Sequence, residues 1–178
     1  MAKLHLGSGT DILPGWVNHD LAALHGIDVV HDLEAFPWPF KDSTFDEIRM
    51  INVLEHLSNA IKSVEGLHRI AEPGARVCIR VPYWNSRDMG TDPTHKTFFS
   101  EYSFDYFDPS KFHCQSRPYY STARFRIAKK YFYTNITIFN LVGYLKISFS
   151  PLQALMAALA RHLCGVIWVV EFDLIALK

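Results

Sequence analysis

Short apolar runs alternate with turn and helix signals through the first 110 residues, a pattern typical of strands joined by crossovers in a parallel sheet. The runs show little polar alternation, which predicts strands covered on both faces. The five predicted strands span residues 4–6, 16–19, 27–31, 47–51 and 76–81. A helix capped by Ser58 is predicted between the last two strands, and the Glu72-Pro73-Gly74 sequence is expected to end it.

The charge balance and the cysteines limit the functions open to this chain. Its 178 residues include 18 basic and 18 acidic side chains, so no excess positive charge favours nucleic-acid binding. Three widely spaced cysteines without a CxxC pair exclude a disulfide framework or a zinc ribbon and indicate a reducing compartment. The first residues lack a signal-peptide core, and the longest apolar run, 163–170, is too short to span a bilayer. We therefore expect a cytoplasmic protein with no transmembrane segment and no nucleic-acid partner.

The first predicted strand runs directly into a glycine turn at residues 7–9, where the backbone can pass close to a ligand. A dinucleotide site needs a third glycine that opens a helix, but Ile12 stands at that position and Pro14 follows at once. The strand ending in Asp20 comes eleven residues after Gly9, whereas the acidic residue of a dinucleotide site comes about 20 residues on. A nucleoside cofactor without phosphates needs no helix dipole. S-adenosylmethionine is such a cofactor.

Most of residues 4–82 resembles a known family through four segments, which are LHLGSGT (4–10), PGWVNHDLA (14–22), VVHDLEAFPWPFKDSTFDEIRMINVLEHL (29–57) and EPGARVCIRVP (72–82). In these segments the chain is similar to the class I S-adenosylmethionine-dependent methyltransferases, and most closely to those with a type 11 methyltransferase domain. The third segment is the most specific, since its P-F-x-D-x-x-F-D run followed by VLEH rarely arises by chance. The resemblance implies a Rossmann-like, seven-stranded-type α/β sandwich with a mostly parallel sheet and an antiparallel edge strand near the C-terminus.

The resemblance also implies a set of residues that bind S-adenosylmethionine, or S-adenosylhomocysteine as product. The glycine turn would pass beneath the methionine part, Asp20 would accept hydrogen bonds from the ribose, and Asp32 would hold the adenine edge. The implied set is His5, Gly7, Ser8, Gly9, Asp20, Leu21, Asp32, Leu33, Asn52 and His56. Two features depart from the family: His5 stands where an acidic residue is common, and no helix is predicted directly after the glycine turn.

The loop after the fifth predicted strand, residues 82–96, is expected to face the methyl acceptor, because ligands of parallel sheets bind beyond the carboxyl ends of strands. His95 in this loop is the candidate general base, with Asp92 as its orienting partner. A purely structural role for His95 in organising the loop is the alternative. No metal site is predicted, since His19, His25 and His31 recur every six residues, which fits no ligand spacing.

The last third predicts strands at 122–133 and 165–177 with a helix over 151–163 between them, and a short helix is predicted at 100–107. We expect a single domain, 1–178, with a cofactor-binding core over 1–110 and C-terminal strands and the inserted helix over 111–178. The apolar face of helix 151–163 can pack on its own sheet, on a second subunit as a homodimer, or against a membrane-linked acceptor.

The function expected from the resemblance is in-line methyl transfer from S-adenosylmethionine to a small molecule or glycan precursor. Such a transfer depends chiefly on positioning the two reactants, and a base is needed only for a protonated acceptor. The alternative is a non-catalytic module that binds S-adenosylmethionine or S-adenosylhomocysteine, favoured by His5 and by the open side of the glycine turn. A dinucleotide enzyme is disfavoured by Ile12 and Pro14.

Overall fold

The computed structural model of the chain describes residues 2–138 and 141–178, and at its centre lies one mixed eight-stranded β-sheet. In chain order the strands are β1 (Ala2–Leu6), β2 (Val17–Asp20), β3 (Val29–Val30), β4 (Phe45–Ile51), β5 (Ala71–Pro82), β6 (Phe125–Ile138), β7 (Leu141–Ile147) and β8 (Val169–Ala176). The helices are α1 (Ala60–Ile70), α2 (Arg87–Thr91), α3 (Phe112–Ser116) and α4 (Ser150–Ala160). Across the sheet the strands lie in the order β3-β2-β1-β4-β5-β8-β6-β7.

The first five strands pair in parallel, as the succession of apolar runs predicts. Helix α1 connects β4 to β5, but its cap is Asn59 rather than the predicted Ser58, since the Asn59 side chain accepts a hydrogen bond from the Lys62 amide at 2.9 Å. The prediction that Glu72-Pro73-Gly74 separates helix from strand is wrong, because β5 already begins at Ala71 and includes these residues. At 100–107 the helix is shorter than predicted, a 3₁₀ turn over Ser103–Tyr106.

The C-terminal part adds three antiparallel strands, which confirms the predicted mostly parallel sheet with antiparallel pairing near the C-terminus. Strand β8 is last in the chain but lies inside the sheet between β5 and β6, and β7 forms the edge. Sequence patterns predict two strands here and miss β7. Helix α4 lies before β8, and its Pro at the first turn is consistent with the helix start. Within the described residues no helix is long and apolar enough to cross a membrane.

The two faces of the sheet differ sharply. One face is apolar: the adjacent residues Leu4, Ile48, Val77 and Leu174 form a buried row across four strands, in one core with residues of α1 and α4. The next row along the strands is polar and consists of His5, Arg49, Cys78 and Asp173. The prediction that the strands are covered on both faces is therefore wrong for β4 and β5, whose buried and partly exposed side chains alternate.

Glu171 is the centre of a charge network on the polar face. Its carboxylate accepts hydrogen bonds from Arg80 Nε at 2.7 Å, Lys146 Nζ at 2.6 Å and the Tyr133 hydroxyl at 2.9 Å. Burial disfavours the charged form, but the hydrogen bonds from Lys146 and Arg80 outweigh it and hold the pKa of Glu171 below its ordinary value. The network ties β5, β6, β7 and β8 together, and it places Arg80 beside the carboxyl edge of the parallel strands.

Candidate functional site

Asp20 and the glycine turn meet at the carboxyl edge of the parallel strands. Asp20 ends β2, and its carboxylate accepts hydrogen bonds from the backbone amides of Gly9 at 2.8 Å and Ala22 at 3.0 Å. Each carboxylate oxygen can accept one more bond. The structure thus joins the glycine turn to Asp20, a contact that the sequence did not predict, and the carboxylate retains the capacity to accept two further hydrogen bonds.

Gly7 is required by a close approach between two loops. Its φ is +62°, and a Cβ at this position would lie 2.2 Å from Cγ2 of Val53, which follows β4. At Gly9 a Cβ would meet no atom within 4 Å, so this part of the turn is open. The Ser8 hydroxyl is buried and has no hydrogen-bond partner among the described residues. An open backbone with an unpaired hydroxyl fits the cradle of a phosphate-free nucleoside, and residues 7–16 contain no helix.

His5 lies on the polar face of the sheet rather than in the pocket at the strand ends. It is buried next to Arg49, its partner in the register of β1 and β4. Burial, together with the Arg49 charge, lowers the pKa of His5, so its imidazole is neutral at neutral pH. His5 is thus placed against Arg49 and the backbone of Asp11, and it is not among the described residues that line the pocket.

The residues predicted for the adenine edge lie beside Asp20. The His31 amide donates to the Asp20 carbonyl at 3.1 Å, which brings the next residue, Asp32, to the same edge. Asp32 is exposed and accepts a bond from the Glu34 amide at 2.9 Å. The Leu33 side chain is buried in the core, so only its backbone remains for a ligand, and the Leu21 side chain is exposed.

A pocket of about 540 Å³ opens at the carboxyl ends of β4 and β5. Its lining residue Asn52 directly precedes Val53, whose side chain approaches Gly7 of the glycine turn. The pocket brings together four predicted site residues, Asn52, His56, Asp92 and His95. The resemblance also implies that Glu55, which precedes His56 in the VLEH segment, lies close behind Asn52, and Glu55 does line the pocket. Sequence reasoning missed the other charged and hydroxyl groups of the lining, which are Arg80, Asp88, Thr91 and Tyr133. Arg80 and Tyr133 reach the pocket through strand register, for which short stretches of sequence hold no signal.

Glu55, His56 and His95 converge at this pocket. The Glu55 side chain is fully buried, and neither carboxylate oxygen has a hydrogen-bond partner among the described residues. His95 Nε2 lies 4.0 Å from Glu55 Oε1, and the rings of His56 and His95 are 4.7 Å apart between centroids. Burial raises the pKa of Glu55 to about 7. Burial and the neighbouring His95 lower the pKa of His56, so a neutral imidazole is favoured there.

Hydrogen bonds assign the tautomer of both imidazoles. His95 Nδ1 lies 3.1 Å from the Met89 carbonyl oxygen, which can only accept, so Nδ1 carries the proton. The Thr94 hydroxyl donates to Asp92 at 2.7 Å and therefore accepts from His56 Nδ1 at 2.8 Å. In its neutral form each ring thus has its lone pair on Nε2. Within the described residues, the predicted pairing of the Asp92 carboxylate with the His95 ring is not formed. The His95 amide donates to the Asp92 carbonyl at 3.3 Å, and the Asp92 carboxylate is joined through Thr94 to His56.

The loop that carries His95 is held against the 3₁₀ turn Leu54–His56. The backbone amides of Lys96 and Thr97 both donate to the Glu55 carbonyl, at 2.7 and 3.1 Å. Lys96 also pairs with Glu34 at 3.0 Å. These contacts join two segments 40 residues apart in sequence, and for this reason spacing alone does not predict the cluster.

Comparison with known proteins gives a family match and solved structures of the same fold. Residues 7–79 match the family described as methyltransferase domain, type 11. Over 98% of its length the chain resembles a SAM-dependent methyltransferase from Archaeoglobus fulgidus, with a TM-score of 0.64 and 15% identity, covering 85% of that chain. It also resembles the YcgJ protein of Bacillus subtilis (TM-score 0.57, 12% identity, 99% of this chain and 91% of that one). A possible histamine N-methyltransferase from Thermotoga maritima gives a TM-score of 0.56 at 11% identity, covering 97% and 81%.

Proposed function

We propose that the chain methylates a small polar molecule or a glycan precursor with S-adenosylmethionine as the methyl donor, since residues 7–79 match the methyltransferase-domain family and the chain shares the fold of S-adenosylmethionine-dependent methyltransferases. The observation that carries the proposal is the pocket of about 540 Å³ beside the nucleoside cradle, a volume ordinary for small-molecule sites. Its lining of carboxylates, imidazoles and one guanidinium suits a polar, hydroxyl-rich acceptor. The formal net charge of zero argues against a nucleic-acid acceptor.

The cofactor would be held by the glycine turn at residues 7–9, by Asp20 and by Asp32, with Asn52 and His56 toward the acceptor pocket. S-adenosylmethionine, when bound, supplies a methyl group on a positively charged sulfur, which keeps the electron pair of the broken carbon–sulfur bond. The chain's own task is then to place the acceptor atom in line with that bond and to exclude water. Positioning of this kind contributes several kcal/mol to a rate without covalent catalysis, roughly as in well-oriented intramolecular reactions.

His95 is the residue that we propose takes the proton of a hydroxyl acceptor. Its ring belongs to the lining of the pocket, and the Met89 carbonyl keeps the proton on Nδ1, which leaves Nε2 to accept a proton. In this arrangement Met89 has the orienting role that the sequence suggested for Asp92. Asp92 acts one step away, because it orders Thr94 and through it His56.

Binding and transfer assays test this function. We expect S-adenosylhomocysteine, but not NAD, to raise the melting temperature, since a ligand at a hundredfold excess over its Kd adds about 2.7 kcal/mol to the free energy of unfolding.

The role of His95 is tested with an acceptor found by screening saccharides. His95→Gln is expected to lower kcat by about 100-fold or more. Its Kd for S-adenosylhomocysteine is expected to stay within a factor of about three. The matched control is His25→Gln, at an exposed histidine outside the pocket.

The outcomes of these assays separate the two hypotheses. Tight binding of S-adenosylhomocysteine with no transfer to any acceptor would favour the non-catalytic binding module. No binding at all would contradict the whole proposal. A normal kcat for His95→Gln would leave the methyltransferase but remove His95 as the base.

We also propose that helix α4 forms a homodimer interface. Its inward residues Met156 and Ala160 are buried, while Leu155 and Leu159 are 55% and 43% exposed and lie on one stripe with Leu152 and Leu163. In sedimentation equilibrium we expect the wild-type chain to dimerise, and Leu155→Glu to be monomeric with unchanged secondary structure. A monomeric wild type at high protein concentration would refute the interface.

The continuous sheet supports one domain over residues 1–178, with the cofactor-binding core at 1–110 and the remainder completing the sheet. All three cysteines are free thiols, which supports the proposed cytoplasmic location, where thiols stay reduced.

A further inference from the structure

The cluster of Glu55, His56 and His95 contains three groups that offer lone pairs to one another. One ligand atom from each of the three side chains lies within 4.8 Å of the other two. The imidazoles present Nε2 lone pairs, because both Nδ1 atoms carry protons that are already donated. Glu55 adds a carboxylate that is 0% exposed and unpaired within the described part of the chain.

Such an arrangement needs a positive charge at its centre. A buried carboxylate without a partner loses the hydration of its charge and gains nothing in return. The neighbouring neutral imidazoles, which have ligand atoms within 4.8 Å of it, supply no compensating charge. A proton or a metal cation removes the conflict.

We propose that this cluster binds a divalent transition-metal ion of the Zn²⁺ class through Nε2 of His56, Nε2 of His95 and a carboxylate oxygen of Glu55. Two imidazoles and one carboxylate are a donor set that first-row transition metals prefer and that Mg²⁺ or Ca²⁺ does not. Three protein ligands leave a coordination position free, and the pocket supplies the space for it.

The surrounding hydrogen bonds are those expected of metal-binding histidines. Such a histidine donates its other ring N–H to a carbonyl or carboxylate, which orients the ring. His95 does so to the Met89 carbonyl directly, and His56 does so to Asp92 through the Thr94 hydroxyl. Ligands around tetrahedral zinc are about 3.3 Å apart. His95 Nε2 and Glu55 Oε1 lie 4.0 Å apart, so these two atoms must approach each other by about 0.7 Å to reach the ligand spacing of tetrahedral zinc.

The inference rests on the proposed function and extends it to the acceptor. An ion in the cluster would coordinate the acceptor hydroxyl and lower its pKa, so that its proton leaves to water and the oxygen is ready for the methyl group. In the ion-loaded protein the His95 lone pair is held by the ion, so this role as a ligand replaces the base role proposed above for His95 in the metal-free protein. The acceptor class is then one that presents a hydroxyl to a metal, as a saccharide does.

Metal binding is measured on tag-free, chelator-treated protein without S-adenosylmethionine or acceptor. We expect Co²⁺ to bind with one ion per chain and give a visible absorption band, which Zn²⁺ displaces and Mg²⁺ does not. His56→Ala, His95→Ala and Glu55→Gln are each expected to weaken binding by at least 10-fold, roughly the smallest loss for a site of this kind. Thr94→Val, which removes only the support of His56, is expected to weaken it about 10-fold. His25→Ala is the matched control and is expected to bind normally.

Circular dichroism of each variant shows whether it is folded, and Thr94→Val keeps the test decisive if Glu55→Gln fails to fold. Absence of Co²⁺ and Zn²⁺ binding overturns the inference and means that the three groups share a proton. Unchanged binding in both histidine variants also overturns it, because the ion is then elsewhere. Calorimetry with S-adenosylhomocysteine on the same samples separates these failures from a failure of the proposed function.

Discussion

Replacing Asp20 with alanine is expected to weaken the binding of S-adenosylhomocysteine by at least 100-fold, since hydrogen bonds to a charged acceptor contribute about 1.5–3 kcal/mol each and two are lost. The substitution also removes the acceptor for the Gly9 amide, so the glycine turn loses its link to β2. The lost hydrogen bonds to the ribose and the loosened glycine turn both weaken the binding of S-adenosylhomocysteine. Titration calorimetry measures the change in Kd directly. The Kd of Asp20→Asn, which keeps one acceptor oxygen, is expected to lie between those of the wild type and Asp20→Ala.

Asp28 offers a matched control for the structural explanation of Asp20. Its carboxylate also accepts a backbone N–H bond, from Asn18 at 2.8 Å, but it does not lie at the carboxyl end of a strand. If Asp20 only stabilises a turn, Asp20→Ala and Asp28→Ala will lower the stability by similar amounts, and both will leave the Kd for S-adenosylhomocysteine unchanged. We expect Asp28→Ala to affect stability alone. Equal Kd values for the wild type and Asp20→Ala would contradict the assignment of the ribose site.

The order of elements in the first half could be predicted because each signal there is local. A strand that runs into a glycine turn, an acidic residue at the end of the next strand, and an amphipathic α1 are all visible within short windows. The same locality explains the errors. Ser58 and Asn59 are both good caps, and only the geometry of the first turn selects Asn59.

The two faces of the sheet and the cluster at the pocket could not be predicted, because both depend on contacts between distant segments. His95 meets Glu55 only because the amides of Lys96 and Thr97 bind the Glu55 carbonyl. Arg80 reads in the sequence as a polar residue within an apolar run. Its role appears only when β8 is found next to β5, which pairs Arg80 with Glu171. Antiparallel register across some 90 residues leaves no short-range signal.

The Glu171 network carries the largest stability effect that we expect. Glu171→Gln removes the charge that compensates Arg80 and Lys146 on the polar face. We expect the free energy of unfolding near pH 7 to fall by about 2–4 kcal/mol, somewhat less than for a fully buried pair, because both cations keep contact with water. Urea denaturation measures this loss. Asp173→Asn is the matched control, since Asp173 pairs at 3.6 Å with an Arg76 that is mostly exposed, and such pairs contribute about 0–1 kcal/mol.

The pH dependence of the stability difference between the wild type and Glu171→Gln shows whether the loss comes from the missing charge or from disturbed packing. The pKa of Glu171 is lower in the folded protein than its ordinary value of 4.5, so the stability it provides is fully present above about pH 4.5 and is lost as pH falls through the folded pKa. The difference between wild type and Glu171→Gln should therefore be constant above that pH and shrink below it. A difference that persists unchanged at low pH would mean that the glutamine disturbs packing between β5 and β8. In that case the charge on Glu171 would not be what joins the antiparallel strands to the parallel half of the sheet.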